Sequence, residues 1–242
     1  MPNCPKCFSA GSVKNGHIHN GKQRYLCRVC SRQFVENPQQ QEIGADKKAL
    51  IDRLLLERLS MAGICRAVGV SERWLQTYVN KKISHVKKDF LDAPVPKEGI
   101  KIILQCDEMW SFVQNKVNKQ WIWLAIVRCD GPENGRIVGC YIGDRSEEGA
   151  KGLWDSIPAA YRDIAIFYSD FWDAYGLIFP KERHFAVGKE SGKTNHIERF
   201  NGTVRARVSR LVRLSYAFSK KLENHLWAVW NFIHSYNQSL LI

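Results

Sequence analysis

The sequence predicts an α/β fold with a mixed sheet, preceded by a small cysteine-anchored ribbon and a small all-helical domain. Three observations predict it. Residues 100–112, 121–129 and 136–143 are apolar, rich in β-branched and aromatic side chains, and joined by polar turns, with helix, strand and helix signals after them. Two Cys-x-x-Cys pairs lie near the start of the chain. Between these regions, two short Ser-led helical patterns flank a glycine.

Taken in order, the first element is the ribbon. Cys4-Pro-Lys-Cys7 and Cys27-Arg-Val-Cys30 are separated by 19 residues, which matches a four-thiolate zinc site with a hairpin between its halves. Asn15-Gly16 and Asn20-Gly21 supply turn signals inside that hairpin. His17 and His19 read as surface residues, because four cysteines already close a tetrahedral site. Residues 1–35 are too few for a core, so one structural zinc ion is expected to provide folding energy.

Residues 36–45, with Pro, Gly and a Gln run, read as a linker. Residues 46–86 read as a helix-turn-helix domain. Asp46 is the expected N-cap of a helix carrying Leu50, Ile51, Leu54 and Leu55; Ser60 caps a second helix, Gly69 turns the chain, and Ser71 caps a third. The third helix of such a unit enters the major groove, which would aim Arg73, Gln76, Thr77 and Lys81 at DNA while Trp74, Leu75 and Tyr78 pack. Two prolines and a glycine mark residues 87–99 as a second linker, and residues 100–242 form the α/β domain with its C-terminal helix.

Charge bounds the partner. The net charge of +12 is divided unevenly, at +8 over residues 1–92, −3 over 93–180 and +7 over 181–225. Two basic segments around an acidic one suit nucleic acid better than mere solubility. No apolar run approaches the ~18 residues of a membrane span, and the N-terminus lacks a signal h-region, so membrane and secreted classes are excluded. Cys65, Cys106, Cys129 and Cys140 lie in apolar stretches as free thiols; with zinc thiolates they place the chain in a cytosol.

The acidic middle carries the chemistry. Asp107 ends an apolar strand pattern, Asp170 follows another, and Glu198 lies one turn into a helix whose apolar stripe is Ile197, Phe200, Val204, Val208 and Leu211. Three such carboxylates suit Mg²⁺, which binds through a few carboxylates plus substrate phosphate. Two ions would serve an in-line phosphoryl transfer. Glu108 points to the opposite strand face from Asp107, so only one of the two is expected to line the site. Asn201 and Arg205 share the helix face of Glu198 as site support, and Arg199, Arg207, Arg210 and Arg213 form a phosphate-contacting track. A DNA-binding regulator would need only the first 86 residues; three ordered carboxylates exceed what it requires.

On these residues the chain resembles the transposases of insertion sequence one, over essentially its full length. The matching stretches are Arg24-Tyr-Leu-Cys-Arg-Val-Cys-Ser-Arg-Gln-Phe34, Asp107-Glu-Met-Trp-Ser-Phe-Val113, Tyr168-Ser-Asp-Phe-Trp-Asp-Ala-Tyr175 and Ile197-Glu-Arg-Phe-Asn-Gly-Thr-Val-Arg-Ala-Arg-Val-Ser-Arg-Leu211, followed by Ser219-Lys-Lys. The resemblance implies an RNase H-like catalytic core with its Asp-Asp-Glu (DDE) triad on Asp107, Asp170 and Glu198, holding two Mg²⁺ (or Mn²⁺). It implies an enzyme that binds terminal inverted repeats and cleaves and transfers the strands of its own insertion element. The implied partners are terminal-repeat and target DNA, with a homo-oligomer assembled on them and no membrane.

Overall fold

The protein is described by a computed structural model over residues 1–19, 21–36, 43–97, 99–211 and 217–241. It comprises two compact units, Met1–Lys48 and Ala49–Ile242.

In the first unit, β1 (Ser12–His17), β2 (Gln23–Cys27) and β3 (Gln33–Val35) form an antiparallel sheet in the order β1-β2-β3. The Asn15-Gly16 pair expected to turn the chain lies inside β1 instead. The β1/β2 register shifts between Lys14 and His17, and Gly16 has φ +70° there, the conformation a bulge demands and glycine meets at no steric cost. The chain reverses after β1, with the Gly21 N–H donating to Ile18 O and the Ile18 N–H to Lys22 O. Asn20, in the other expected turn, lies outside the described residues, as does most of the expected linker.

In the second unit, β4 (Ile103–Phe112), β5 (Lys119–Arg128) and β6 (Ile137–Gly143) pair antiparallel as hairpins. After α4 (Glu147–Ser156) and the single-turn α5 (Ala159–Arg162), β7 (Ile166–Ser169) returns parallel to β4. Then α6 (Asp173–Ile178) leads to β8 (His184–Ala186), parallel to β7, and α7 (Asn195–Arg207) and α8 (Leu222–Ser239) follow. The mixed sheet runs β6-β5-β4-β7-β8, an order and set of directions compatible with an RNase H-like core. Residues 173–178 and 184–186 are too short to show a periodicity, although Asp173 sits in the first turn of α6 as an early helical turn would place it.

Strand alternation separates two cores. Leu104, Cys106, Trp123, Ala125 and Val127 pack with Leu153 of α4 and Tyr175 of α6 on one face. Met109, Ile122, Leu124 and Ile126 pack with Ile197, Phe200 and Val204 of α7 and Trp230 and Ile233 of α8 on the other. The helix expected over residues 195–212 stops at Arg207; the chain leaves helical geometry at Val208 (ψ 104°) and both Val208 and Leu211 stay buried in that second core.

The helical segment comprises α1 (Ala45–Leu54), α2 (Met61–Val68) and α3 (Glu72–Ile83). Asp46 sits in the first turn of α1 rather than before it, where its charge opposes the positive helix end. The Ser60 hydroxyl accepts from the Gly63 N–H at 3.0 Å, the Ser71 hydroxyl from the Trp74 N–H at 3.2 Å, and Gly69 takes φ +71° between the helices. Ile51, Ile64, Leu75 and Val79 bury around Trp227 of α8, so this segment and the sheet domain belong to one unit. About 40 residues are too few to enclose a core unaided, and Trp227 completes it.

Candidate functional site

An acidic cleft of about 380 Å³ lies where the sheet splits and is lined by Asp107, Glu108, Asp170, Glu198, Asn201 and Arg205 among others. Its position follows from strand lengths. β4 pairs with β7 only over Ile103–Gln105, and β7 ends at Ser169. Beyond that point Asp107 and Glu108 have no β7 partner on that side, and Asp170 follows the end of β7. Glu198, in the first turn of α7, closes the cleft from above one face.

Carboxylate oxygens of Asp107, Glu108 and Asp170 lie within 4.8 Å of one another. This corrects the expectation that only one of Asp107 and Glu108 can line the site. The two side chains do leave opposite strand faces: Asp107 meets Asn201 of α7, and Glu108 meets Tyr175 of α6. At an open strand edge both carboxyl groups still turn into the same space. Glu198 lines the cleft but its carboxylate is not part of this tight cluster.

Each carboxylate is held by a donor. The Asn201 side-chain amide donates to Asp107 Oδ2 at 2.7 Å, and the Trp172 N–H to Asp170 Oδ1 at 3.0 Å. The Thr194 hydroxyl donates to Glu198 Oε1 at 2.9 Å. Glu108, whose side chain is 1% exposed, takes Arg145 at 2.7 Å and the Tyr175 hydroxyl at 2.8 Å. Arg145 itself is stacked between Trp121 and Trp172, its guanidinium carbon 4.7 and 4.2 Å from their ring centres. Burial, then the neighbouring Glu108 charge, pushes the Asp107 carboxyl up to about 7, and burial raises Glu108 as well.

That strain fits a cation. Crowded carboxylates repel unless positive charge arrives, and oxygen donors of this kind suit Mg²⁺ or Mn²⁺. The buried Asn201 Oδ1 accepts no hydrogen bond among the described residues, which leaves one more oxygen at the cleft for an ion or its water.

Four thiols form the second cluster. The sulfurs of Cys4, Cys7, Cys27 and Cys30 lie within 4.8 Å of one another, with Cys4–Cys30 and Cys7–Cys27 both at 3.5 Å. A tetrahedral ion with 2.3 Å bonds to sulfur requires separations of about 3.8 Å. The two Cys-x-x-Cys turns are built alike. Phe8 and Ser31, each one past the second cysteine, have φ near +60° and return their N–H groups to Cys4 O and Cys27 O, both at 2.9 Å. Against burial, the backbone N–H groups of Cys7 and Lys6 draw the Cys4 thiol down to about 6. Against the Ser9 N–H, burial and then hydrogen bonds with the other thiols push Cys7 up to about 12, and a bound cation would favour the thiolate in all four.

The remaining expected site residues are placed as follows. Arg73, Gln76, Thr77 and Lys81 are all exposed on α3, while Leu75 and Val79 are buried and Trp74 stacks on Tyr78 at 5.1 Å. The arginines do not form one helical track. Arg199 is exposed on α7, and Arg207 pairs with Glu57 at 2.5 Å and lies over Phe232. Arg210 sits in the 3₁₀ turn Ser209–Leu211, where burial lowers its pKa, and Arg213 lies outside the described residues. Sequence reasoning missed Thr194, Arg145 and Lys189, which hold or flank the carboxylates from short loops. The Asp107-Glu108 doublet was the one available signal.

Comparison with known proteins supports a specific kinship. The family model described as IS1 transposase matches residues 101–238. The insertion element iso-IS1n protein InsB of Shigella dysenteriae is 32% identical over 137 residues, covering 56% of this chain and 96% of that protein. The IS1 4 protein InsB of Escherichia coli (strain K12) is 28% identical over 130 residues, 54% of this chain and 72% of that protein. The IS1 protein InsB of Shigella flexneri is 27% identical over 124 residues, or 51% and 88%.

Proposed function

The chain belongs to the IS1 transposase family, and we propose that it is a DDE-type enzyme that binds the terminal inverted repeats of its own element and cuts and transfers their strands. The observation that carries this reading is the convergence of Asp107, Glu108 and Asp170 at one sheet split, with Glu198 lining the same cleft. Asp107, Asp170 and Glu198 are the proposed catalytic triad and ligands of two Mg²⁺ ions. Divalent ions bound there would activate the attacking oxygen and stabilise the leaving one.

The chain's own residues supply positioning. Asn201, the Trp172 N–H and Thr194 fix the rotamers of Asp107, Asp170 and Glu198, so that an incoming phosphodiester meets a preset frame. Arg145 and Tyr175 hold the Glu108 carboxylate in place beside Asp107 and Asp170 and offset part of its charge. Lys189 and Arg205, on the cleft wall, attract the phosphate. Water attacks phosphorus and the 3′ oxygen leaves, taking a proton as the free 3′-OH. In transfer that hydroxyl attacks a target phosphodiester and displaces the target's own 3′ oxygen.

The four-cysteine ribbon holds zinc, and α2 and α3 act as a helix-turn-helix whose Arg73, Gln76, Thr77 and Lys81 read the repeat. The protein works in the prokaryotic cytoplasm as a homo-oligomer on DNA; no helix among the described residues is long and apolar enough to cross a membrane. The test is strand cleavage with Mg²⁺ on DNA ends taken from either side of the coding region, measured beside binding. Asp107→Ala, Asp170→Ala and Glu198→Ala should each bind and fail to cut, and full cleavage by any one removes that residue from the triad.

A further inference from the structure

A second cavity, of about 370 Å³, carries the opposite charge to the acidic cleft. Lys101, Arg128, Lys193 and His196 line it, with Gln105 and Tyr168 in its wall and Asp130 its one carboxylate. The segments that build the cleft build this cavity too. β4 gives Gln105 here and Asp107 there; Tyr168 lies here and Asp170 there along β7 and its exit. The loop before α7 gives Lys193 here and Thr194 there, and α7 gives His196 and Glu198. A two-residue step along a strand keeps the face and advances about 6.6 Å. The basic cavity therefore sits one such step from the acidic cleft, on the same side of the sheet.

The cations are not consumed by the fold. Among the described residues, Lys101, Arg128 and Lys193 form no ion pair, and Lys193 lies over the Tyr168 ring at 4.9 Å. They do not neutralise the cleft, whose carboxylates have other donors. The first three N–H groups of α7 are already engaged, that of Asn195 with Gly192 O and those of His196 and Ile197 with Gln105 Oε1 at 3.1 and 3.2 Å, so the attraction comes from side chains. Burial, then Arg128 and Arg199, lowers the pKa of His196, a sign of the same positive field.

We infer that this cavity is a phosphate subsite, taking a backbone phosphate of the strand whose neighbouring phosphodiester lies in the acidic cleft. The inference rests on reading the cleft as a DNA-processing centre. Successive phosphates of a duplex strand wind around the axis as well as rising about 3.4 Å along it, so the step between the cavities spans about one to two nucleotides. The subsite would therefore hold the strand on one side of the cut and fix its register.

The experiment uses the full chain and end-DNA duplexes bearing a single neutral methylphosphonate at successive positions around the cut. One such position, one or two nucleotides away, should weaken wild-type binding by about tenfold. Arg128→Gln with Lys193→Gln should weaken binding to all-phosphate DNA similarly, make that methylphosphonate cost nothing further, and flatten the salt slope by about one. Arg128→Lys should restore most of the sensitivity. If the double variant melts early, Lys193→Gln, at an exposed position, gives the same comparison. A wild type that cleaves while no position is sensitive, or a variant that keeps the full penalty, overturns the subsite alone. A wild type that neither binds nor cleaves end DNA overturns the functional reading, and the subsite with it.

Discussion

Asp107 is pressed between burial, the Glu108 charge and the Asn201 amide, and its carboxyl titrates near 7 instead of near 3.8. Between those values the folded chain keeps a proton that the unfolded chain has released. Raising pH through that window therefore removes stability. Without added Mg²⁺ or Mn²⁺, Asp107→Asn should escape this loss and unfold about 1–3 kcal/mol later at pH 8 by urea titration, while cleavage falls by more than about 100-fold. Equal stability at pH 8 would mean that Asp107 is not strained. At the same site, Asn201→Ala should weaken Mn²⁺ binding, read by calorimetry, by about tenfold. His225 shows the opposite use of burial: its ring faces Ser111 at 2.9 Å and burial, then Arg210, lowers its pKa to about 4, which makes it a neutral packing residue.

At the scale of elements, the ribbon and the helix pair depend on different forces. The residues buried in the first unit include Cys4, Ser12, Tyr25 and Cys27, and among the described residues there no aliphatic side chain is buried. Metal must then replace a hydrophobic core. Cys27→Ser should abolish one equivalent of zinc by atomic absorption and erase the amide dispersion of residues 1–48, while residues 49–242 keep their melting transition. The helix pair depends on a backbone conformation. Gly69 has φ +71° with open space around it, so Gly69→Ala is strained without clashing and should cost about 1 kcal/mol in unfolding free energy. These elements were legible because their signals are local: Ser60, Gly69 and Ser71 cap and turn where their chemistry predicts. Asn15-Gly16 misled because glycine at positive φ serves a bulge as well as a turn, and cross-strand pairing decides which.

At the scale of the whole molecule, Trp227 joins the helical segment to the last helix, and truncating it should be felt on both sides. Trp227→Ala should destabilise residues 49–242 by about 3–5 kcal/mol, with helix and sheet signals lost in one transition. Separate transitions would show that the segment folds alone. Charge acts at this scale as well: three basic lining residues sit beside a carboxylate cleft, the arrangement that the proposed phosphate subsite and cutting site require.

The chain by itself determined the four thiols, the capped helices, the three hairpin strands and the carboxylates that follow apolar runs, because spacing, capping and alternation act over a few residues. Only the tertiary structure decided that β7 stops short of Asp107, which opens an edge where Glu108 joins a cluster that alternation alone would deny it. It also decided that Lys101, Arg128 and Lys193, distant in the chain, share one cavity. Strand length and pairing set how far side chains lie from one another in space, and no local pattern encodes that distance.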